Sequence, residues 1–302
     1  MSASVSQGGL SIEDMCSICG VSRAGYYRHW QASAPRAEEA ALRDAIQRLV
    51  LREDRLRGYR YITALLRREG WQANHKRVLR LMREDNLLAL RHRPFVPVTT
   101  QSRHGWRVVP NLARGLEVTG LDQLWVADIT YVHLGEDFAY LAVVLDAFSR
   151  KVVGWALETH LRAELAMAAL DMAIAVRRPA PGSLIHHSDR GVQYACGDYA
   201  AMLARHDIQP SMSRVGNPYD NAKAERFMRT LKEEEVDGSA YRDINEARTG
   251  IGRFIDTIYN RQRLHSALDY LTPEEYEATR SSCGLGVPPA RKRTKPEACA
   301  NF

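Results

Sequence analysis

A carboxylate inside a continuous apolar run limits the folds open to this chain more than any other feature. Residues 124–132 read Leu-Trp-Val-Ala-Asp-Ile-Thr-Tyr-Val, apolar on both alternating faces and rich in β-branched and aromatic side chains. Such a run predicts a buried central strand of a sheet. An ionised Asp128 in that strand is costly unless a cation or another partner compensates its charge.

Two further acidic residues stand where a predicted strand ends and where a predicted helix begins. Asp189 follows a short apolar run, and the carboxyl ends of strands are where α/β sheets tend to build sites. Glu225 lies in a predicted helix, for which we expect Asn217 as the cap and Pro218 at the first position. The core face of that helix is predicted from residues at helical spacing: Ala224, Phe227, Met228 and Leu231.

Three carboxylates without a thiolate offer hard oxygen ligands, which magnesium and manganese prefer. Two such ions about 3.5–4 Å apart can stabilise both the attacking and the leaving oxygen of a phosphodiester. Arg229 and Lys232 follow Glu225 by four and seven residues, and we expect them to hold a polyanion over the metals. Each acid alone also fits a structural role: Asp128 as a buried strand residue, Asp189 in a turn, and Glu225 on a solvated helix face.

The motifs that contain these acids resemble the integrase core of insertion-sequence transposases. They are Trp125-x-x-Asp128-Ile-Thr-Tyr131, His187-Ser-Asp-Arg-Gly-x-Gln-Tyr194 and Asn217-Pro-x-Asp-Asn-Ala-x-x-Glu225. The resemblance is to the second-frame protein of the insertion-sequence-three family, and it extends over residues 20–276. The 35 residues 190–224 separate the last two acids, which is the spacing of the Asp-Asp-Glu triad in that family.

The resemblance implies a fold, an activity and a set of site residues. The fold is α/β, with an RNase H-like mixed-sheet catalytic core, N-terminal helix-turn-helix-like modules and a C-terminal helical extension. The activity is cleavage at insertion-element ends and transfer of the 3′-hydroxyl to another DNA phosphodiester, with the element's two ends joined first. Asp128, Asp189 and Glu225 would be the catalytic residues and the ligands of two magnesium ions, for which manganese can substitute. His187 and Asn221 would support them, His187 by positioning Asp189 or DNA.

Composition and hydrophobic patterning divide the chain into six predicted segments. The catalytic core itself is expected to contain strands at 124–132, 139–146, 151–157, 183–187 and 208–212, with helices at 162–177 and 199–206. The segments are a helix-turn-helix-like region (1–34), a basic helical DNA-binding module (36–93), an extended linker (94–115), the catalytic core (116–235), a C-terminal helical extension (236–280) and a disordered basic tail (281–302).

The surplus of positive charge is concentrated in the predicted module of residues 36–93. This module has fifteen Lys and Arg against eight Asp and Glu, in a chain with a net charge of +6 and a pI near 9.1. A helix capped by Asn74 should present four cations that bind DNA phosphates, although a merely solvated basic face has the same pattern. These cations are Lys76, Arg77, Arg80 and Arg83.

Two short predicted helices at residues 11–20 and 23–30 flank a turn and resemble a helix-turn-helix. The alternative is a plain helical hairpin without a DNA contact. Cys16 and Cys19 have a spacing found in zinc sites, but only His29 lies nearby, so we interpret them as ordinary helix residues.

The partners and the compartment follow from the same features. The expected partner is double-stranded DNA, both the terminal inverted repeats of an element and the target, bound by a homo-oligomer. An upstream-frame transposase segment, joined by frameshifting in the family, is a further expected partner. Five scattered cysteines and the absence of an apolar run long enough to span a bilayer favour the bacterial cytoplasm, at the nucleoid.

Other functions and two local departures remain open from the sequence. A binding-only regulator would keep the basic modules without using the triad, and a plain RNase H-type nuclease would not need those modules. Leu264 stands where the family usually has proline, and Asp269 where it usually has glycine, so the turn geometry there is an open question.

Overall fold

The computed structural model describes residues 11–30, 37–53, 56–89, 109–135, 137–213 and 221–281. Several expectations fall outside these ranges. They are the N-terminal segment before Ser11, most of the linker, the capping role of Asn217 and Pro218, and the basic tail after Ser281.

The central part of the chain is built on a five-stranded mixed sheet with the strand order β3-β2-β1-β4-β5. The first three strands form the expected antiparallel meander, while β4 and β5 continue the sheet in parallel with β1. The predicted strands are therefore confirmed, with ends that differ by one or two residues. The strands are β1 Leu124–His133, β2 Phe138–Asp146, β3 Val152–Glu158, β4 Ile185–Ser188 and β5 Gln209–Met212.

Helices cover both faces of the sheet, which explains why β1 is apolar on both of its faces. Leu124 and Val126 belong to one hydrophobic cluster, whereas Trp125 and Ala127 belong to the other. The first cluster is closed by α9 (Ala222–Leu231), α10 (Ile244–Arg253) and its π-helical continuation Phe254–Gln262. The second is closed by α6 (Ala163–Arg177), α7 (Val192–Ala195) and α8 (Gly197–Arg205).

The described residues 11–30, 37–53 and 56–89 are mainly helical, as the sequence predicts. The hairpin consists of α1 (Ile12–Ile18) and α2 (Arg23–Trp30), and Cys16 is buried there while Cys19 is exposed. Within the described ranges no cluster of three or more His, Cys, Asp or Glu could hold a metal ion. A three-helix unit follows with its own apolar core, formed by α3 (Ala37–Arg52), α4 (Tyr59–Arg68) and α5 (His75–Glu84).

The three-helix unit contacts the C-terminal extension of the core through buried and half-buried ion pairs. Arg57 pairs with Glu234, which also accepts hydrogen bonds from Arg263 at 2.9–3.2 Å. Arg68 on α4 pairs with Glu275 at 2.7 Å, on helix α11 (Pro273–Ser281). These ion pairs join the three-helix unit to the core, and one of them lies just after the end of α9.

The two departures from the family pattern lie in the turn that precedes α11. Leu264 is buried, so it fills space where proline is usual. Asp269 has a φ of 53°, in the left-handed region that glycine favours and that Asp tolerates better than most residues. The turn keeps the conformation that a glycine would adopt.

Within the ranges that the structure covers, no helix is long and apolar enough to cross a membrane.

Gly154 on β3 lies against α6 so closely that no side chain fits. A Cβ at this position would lie 2.7 Å from the backbone nitrogen and 2.9 Å from the Cβ of Ala173, and closer still to the carbonyl oxygen of Ala169. We expect Gly154→Ala to lower the free energy of unfolding by about 1–3 kcal/mol, because backbone atoms must move. Gly197→Ala is the matched control, since nothing lies within 4 Å of the added Cβ. Denaturant titrations that gave equal stabilities for the two variants would contradict this close packing.

Candidate active site

Two of the three predicted acids lie at the same level of the sheet, Asp128 on β1 and Asp189 directly after the end of β4. β1 and β4 are parallel, with Val126 paired to His187. Asp128 and Asp189 each follow their paired residue by two positions, so the register brings them side by side. The charge of Asp189 acts on Asp128 strongly enough to raise its pKa.

Asp128 is held in a setting that disfavours its charge. Burial raises the pKa of its carboxyl to about 8, and the charges of Asp189 and Glu225 add to that rise. The backbone N–H of Ile129, which donates to Oδ1 at 2.9 Å, and the more distant charge of Lys232 oppose it. The carboxylate charge is therefore poorly compensated within the protein. A divalent cation fits this environment, because it would offset the repulsion with hard oxygen ligands.

Asp189 is oriented by the turn that follows it. The backbone N–H of Gly191 donates to its Oδ1 at 2.9 Å. A Cβ on Gly191 would lie 3.0 Å from that same oxygen. Glycine therefore allows the turn to approach the carboxylate closely, which accounts for the glycine in this motif.

Glu225 stands farther from the aspartate pair. It lies on the first turn of α9 and is exposed. Desolvation raises the pKa of its carboxyl, and the charge of Arg229 opposes that rise. Its effect on Asp128 is weaker than that of Asp189. The described part of the chain contains no three acids close enough together to hold a metal ion, so the structure assembles the aspartate pair and leaves Glu225 beside it.

Asn221 connects the helix of Glu225 to the strand of Asp128. It is the N-cap residue of α9, is 5% exposed, and donates from Nδ2 to the carbonyl oxygen of Ala127 at 3.1 Å. The hydrogen bond joins the residue before Asp128 to the turn before Glu225. The supporting role of Asn221 stays a prediction, and this hydrogen bond is the contact through which it would act.

His187 cannot contact DNA in this arrangement. The side chain is fully buried in β4, and its Nδ1 lies 2.8 Å from the hydroxyl of Ser211 on β5. Both faces of β4 are covered, since His186 and Ser188 are as buried as His187. A role of His187 in positioning Asp189 stays a prediction, and a DNA contact would require this packing to open.

Tyr194 is a site residue that the sequence did not single out, although it ends the second motif. Its hydroxyl is buried and has no hydrogen-bond partner among the residues described. Burial, and then the charges of Tyr199, Asp128 and Asp189, raise its pKa well above the ordinary value. The hydroxyl therefore lies near both carboxylates in its protonated form. The only signal in the sequence was its place five residues after Asp189.

Lys232 lies beside the site, but not as a free cation on the face of Glu225. Its Nζ is 4.0 Å from the centre of the Tyr131 ring, and its charge acts on Asp128 and Asp237. α9 changes to a π-helical turn at this residue, Lys232–Val236. Arg229 is exposed and acts on Glu225 instead. Both cations remain predicted DNA contacts.

The cations of α5 divide into two pairs. Arg77 lies 3.7 Å from both Glu38 and Glu39 of α3, and Arg80 lies 3.5 Å from Glu39 and 3.1 Å from Glu84 on its own helix. Lys76 and Arg83 are exposed and have no carboxylate partner among the residues described. Acidic residues of α3 therefore neutralise the middle of the predicted DNA-binding face.

This division predicts unequal contributions to DNA binding. Replacing Lys76 and Arg83 by Gln should lower the slope of log K against log salt by up to about two units, roughly 0.9 for each phosphate that the protein no longer neutralises. Replacing Arg77 and Arg80 by Gln should lower it less, since these arginines must exchange protein carboxylates for phosphates. Filter binding or fluorescence anisotropy over a salt series measures both slopes. A larger effect of the Arg77 and Arg80 pair would show that DNA displaces the carboxylates of α3.

Three protein-family models match the chain, two of them for an integrase core domain and one for an HTH-like domain. The integrase core domain matches residues 119–218 and again 206–273, and an HTH-like domain matches residues 36–95. Solved integrase cores are similar only at low scores. The catalytic core domain of BIV integrase has a TM-score of 0.40 at 19% identity and covers 54% of this chain and 97% of its own. The fold is therefore assigned from the strand order and the family models. Fold and site define an integrase core protein with an HTH-like module.

Curated relatives specify the family. The transposase InsF for insertion sequence IS3A of Escherichia coli (strain K12) is 37% identical over 276 residues, which are 90% of this chain and 95% of the relative. An insertion element IS600 uncharacterized 31 kDa protein of Shigella sonnei is 37% identical over 266 residues, 87% of this chain and 97% of its own. The chain belongs to the IS3 family of transposases.

Proposed function

We propose that this transposase cleaves DNA at the ends of an insertion element and transfers the freed 3′-hydroxyl to another phosphodiester. The observation that carries the proposal is the placement of Asp189 beside the buried Asp128, whose charge the protein compensates poorly. Asn221 fastens the helix of Glu225 to the strand of Asp128, so the third carboxylate stands beside that pair. A binding-only protein has no use for carboxylates held in this costly arrangement.

The three carboxylates would hold two magnesium ions, with manganese as a substitute. Asp128 and Asp189 would be ligands of one ion, and Asp128 and Glu225 of the other. When bound, such ions supply electrostatic stabilisation of the attacking and the leaving oxygen at phosphorus.

The chain's own residues orient these ligands, and the buried Tyr194 is a poor competing nucleophile. The N–H groups of Ile129 and Gly191 fix one oxygen of Asp128 and one of Asp189. The Tyr194 hydroxyl lies near both aspartates, but burial keeps it protonated and makes it a poor nucleophile. This setting favours direct attack at phosphorus by water or a DNA hydroxyl, without a covalent link to the enzyme.

The DNA is expected to run from the HTH-like module to the carboxylates. Lys76 and Arg83 on α5 would contact phosphates, and Arg229 and Lys232 would hold the strand beside the aspartate pair. The partners in this proposal are the terminal inverted repeats, the target duplex, further copies of this chain, and an upstream-frame transposase segment. The setting is the nucleoid of a bacterial cytoplasm.

A cleavage assay with the full chain tests the proposal. The substrate is an end-labelled duplex taken from the terminus of the element that carries the gene, incubated with magnesium, manganese or EDTA. We expect a nick that leaves a 3′-hydroxyl at the element end, followed by joined products, with either ion and with neither product in EDTA. Binding without cleavage under all three conditions would instead support the regulator.

A further inference from the structure

A cavity lies between the three-helix unit and the catalytic core, apart from the aspartate pair. Its volume is about 350 Å³, room for roughly ten water molecules at about 30 Å³ each. Gly58–Tyr61 line it from the side of α4, and Lys223 and Arg226 line it from α9. Its described lining includes none of the three site carboxylates.

The lining is strongly and unevenly charged. Its only described acid is Asp146, which is fully buried and accepts backbone N–H bonds from Asp122, Phe148 and Ser149 at 2.8–2.9 Å. Asp146 is therefore occupied within its own turn. The lining cations are Arg60, Arg150, Lys223, Arg226 and Arg263.

Most of these cations have no acid of their own. Arg263 pairs with Glu234 at 2.9 Å. For the other four, the residues that the structure describes provide no carboxylate within salt-bridge distance. Burial and then the charge of Arg150 lower the pKa of Lys223, and the charge of Asp146 opposes them. An anion in the cavity would relieve the repulsion among these cations.

His265 provides a second, independent indication of a ligand. The side chain is 7% exposed and lines the cavity, and its Nε2 is buried without a hydrogen-bond partner in the described ranges. Burial lowers its pKa to about 3, helped by the charges of Arg263, Arg150 and other arginines. The ring is neutral at physiological pH, and a neutral imidazole can still donate one N–H to an anion.

Helix α9 presents different faces to the cavity and to the aspartates. Lys223 and Arg226 are three residues apart and share one face, with Thr230 on the next turn. Glu225, between them in sequence, is not part of that lining. An anion in the cavity would therefore contact α9 from the side of the three-helix unit, where Arg60 also reaches it.

We propose that this cavity binds one phosphate group of the DNA backbone, held by Arg60, Arg150, Lys223 and Arg226 with a hydrogen bond from His265. The DNA as the source of the phosphate rests on the proposed function. The bound phosphate joins α4 to α9, so the DNA itself fixes the three-helix unit against the helix that carries Glu225. Recognition of the DNA end and placement of the third carboxylate are thereby coupled.

The test uses the full chain in EDTA, where binding is measured without cleavage. We expect Arg60→Gln combined with Arg150→Gln to lower the slope of log K against log salt by about one unit, the value for one phosphate. Arg205→Gln combined with Arg253→Gln is the matched control, because both arginines are exposed and have no carboxylate partner in the described ranges. Equal slopes for the two double variants would overturn the proposal.

Methylphosphonate substitution locates the phosphate. A single methylphosphonate at the phosphate that the cavity binds should lower the slope of log K against log salt for the wild type. It should lower that slope no further for the Arg60 and Arg150 variant. If a methylphosphonate at every position lowered the slope of the variant as much as that of the wild type, the assignment of the cavity to a DNA phosphate would be overturned. Arg60→Gln alone, at an exposed position of α4, should move the slope in the same direction and guards against a folding defect in the double variant.

Inorganic phosphate tests whether the cavity binds a phosphate of DNA or a free phosphate ion. It should raise the Tm of the wild type more than chloride at the same ionic strength does, and this difference should vanish in the double variant. Phosphate stabilisation with an unchanged DNA slope would mean a free-anion site and would overturn the DNA assignment. A lower slope in a protein that never cleaves DNA would instead refute the proposed catalysis and leave this site standing.

Discussion

Asp128→Asn, Asp189→Asn and Glu225→Gln should each abolish cleavage of an element end while leaving DNA binding close to that of the wild type. The amides keep the shape of the side chains but remove the charge that divalent cations require. We expect a loss of at least about 10³-fold in cleavage rate, which corresponds to about 4 kcal/mol of transition-state stabilisation. Single-turnover cleavage in saturating magnesium, with binding measured in EDTA, provides both quantities.

Asp171→Asn is the matched control for these variants. Asp171 is an exposed acid on α6 and lines no part of the site. The Asp171→Asn variant should cleave DNA at the wild-type rate, which would show that the loss of one negative charge does not by itself reduce cleavage. Near-normal cleavage by any one of the three site variants would remove that residue from the proposed ligands.

The structure further predicts that Glu225→Gln and Asp128→Asn differ in metal binding when DNA is absent. Asp128 and Asp189 are already side by side, whereas Glu225 acts on Asp128 more weakly. Manganese should therefore still raise the Tm of Glu225→Gln, because the aspartate pair can bind one ion. It should raise the Tm of Asp128→Asn much less. Equal metal responses in these two variants would mean that the free protein already holds all three carboxylates together.

Much of the fold was predictable because the signals are local. The run around Asp128 has apolar residues on both of its faces, and helix layers cover both faces as expected. Asn74 caps α5 through a bond from the N–H of Lys76 to its Oδ1 at 2.8 Å, within three residues of chain. Periodicity and capping are properties of neighbouring residues, so they are visible without the fold.

The features that were missed depend on contacts between distant segments. Arg77 meets acids of α3 almost forty residues earlier, and no pattern within α5 reveals this. The burial of His187 depends on β5, which supplies Ser211, and on the helices that cover the sheet. The basic cavity draws on α4, α9 and the turn before α11, and α4 is more than a hundred residues from the other two. Sequence patterns identify such residues only after the fold has brought them together.

In the metal-free protein, the contribution of Asp128 to the free energy of unfolding should fall as the pH rises from about 4 to about 8. Its carboxyl has a pKa of about 8 in the folded chain and about 3.9 in an unfolded one. Between these values the folded state retains a proton that the unfolded state has released. Stability falls with pH wherever the folded state binds more protons, so this contribution is intact below pH 4 and lost progressively toward pH 8.

Asp128→Asn separates this effect from the titration of other groups. One pKa unit corresponds to about 1.36 kcal/mol, and solvent near a partly accessible carboxyl reduces the effective shift. We therefore expect the variant to gain at least about 1 kcal/mol over the wild type near pH 8 in EDTA and little near pH 4. Magnesium or manganese should remove the difference near pH 8, because a cation replaces the proton between Asp128 and Asp189. Denaturant unfolding at several pH values, with and without metal, measures these differences. Parallel stability curves for the two proteins in EDTA would show that Asp128 is already ionised at neutral pH, and that the aspartate pair does not need a cation to compensate its charge.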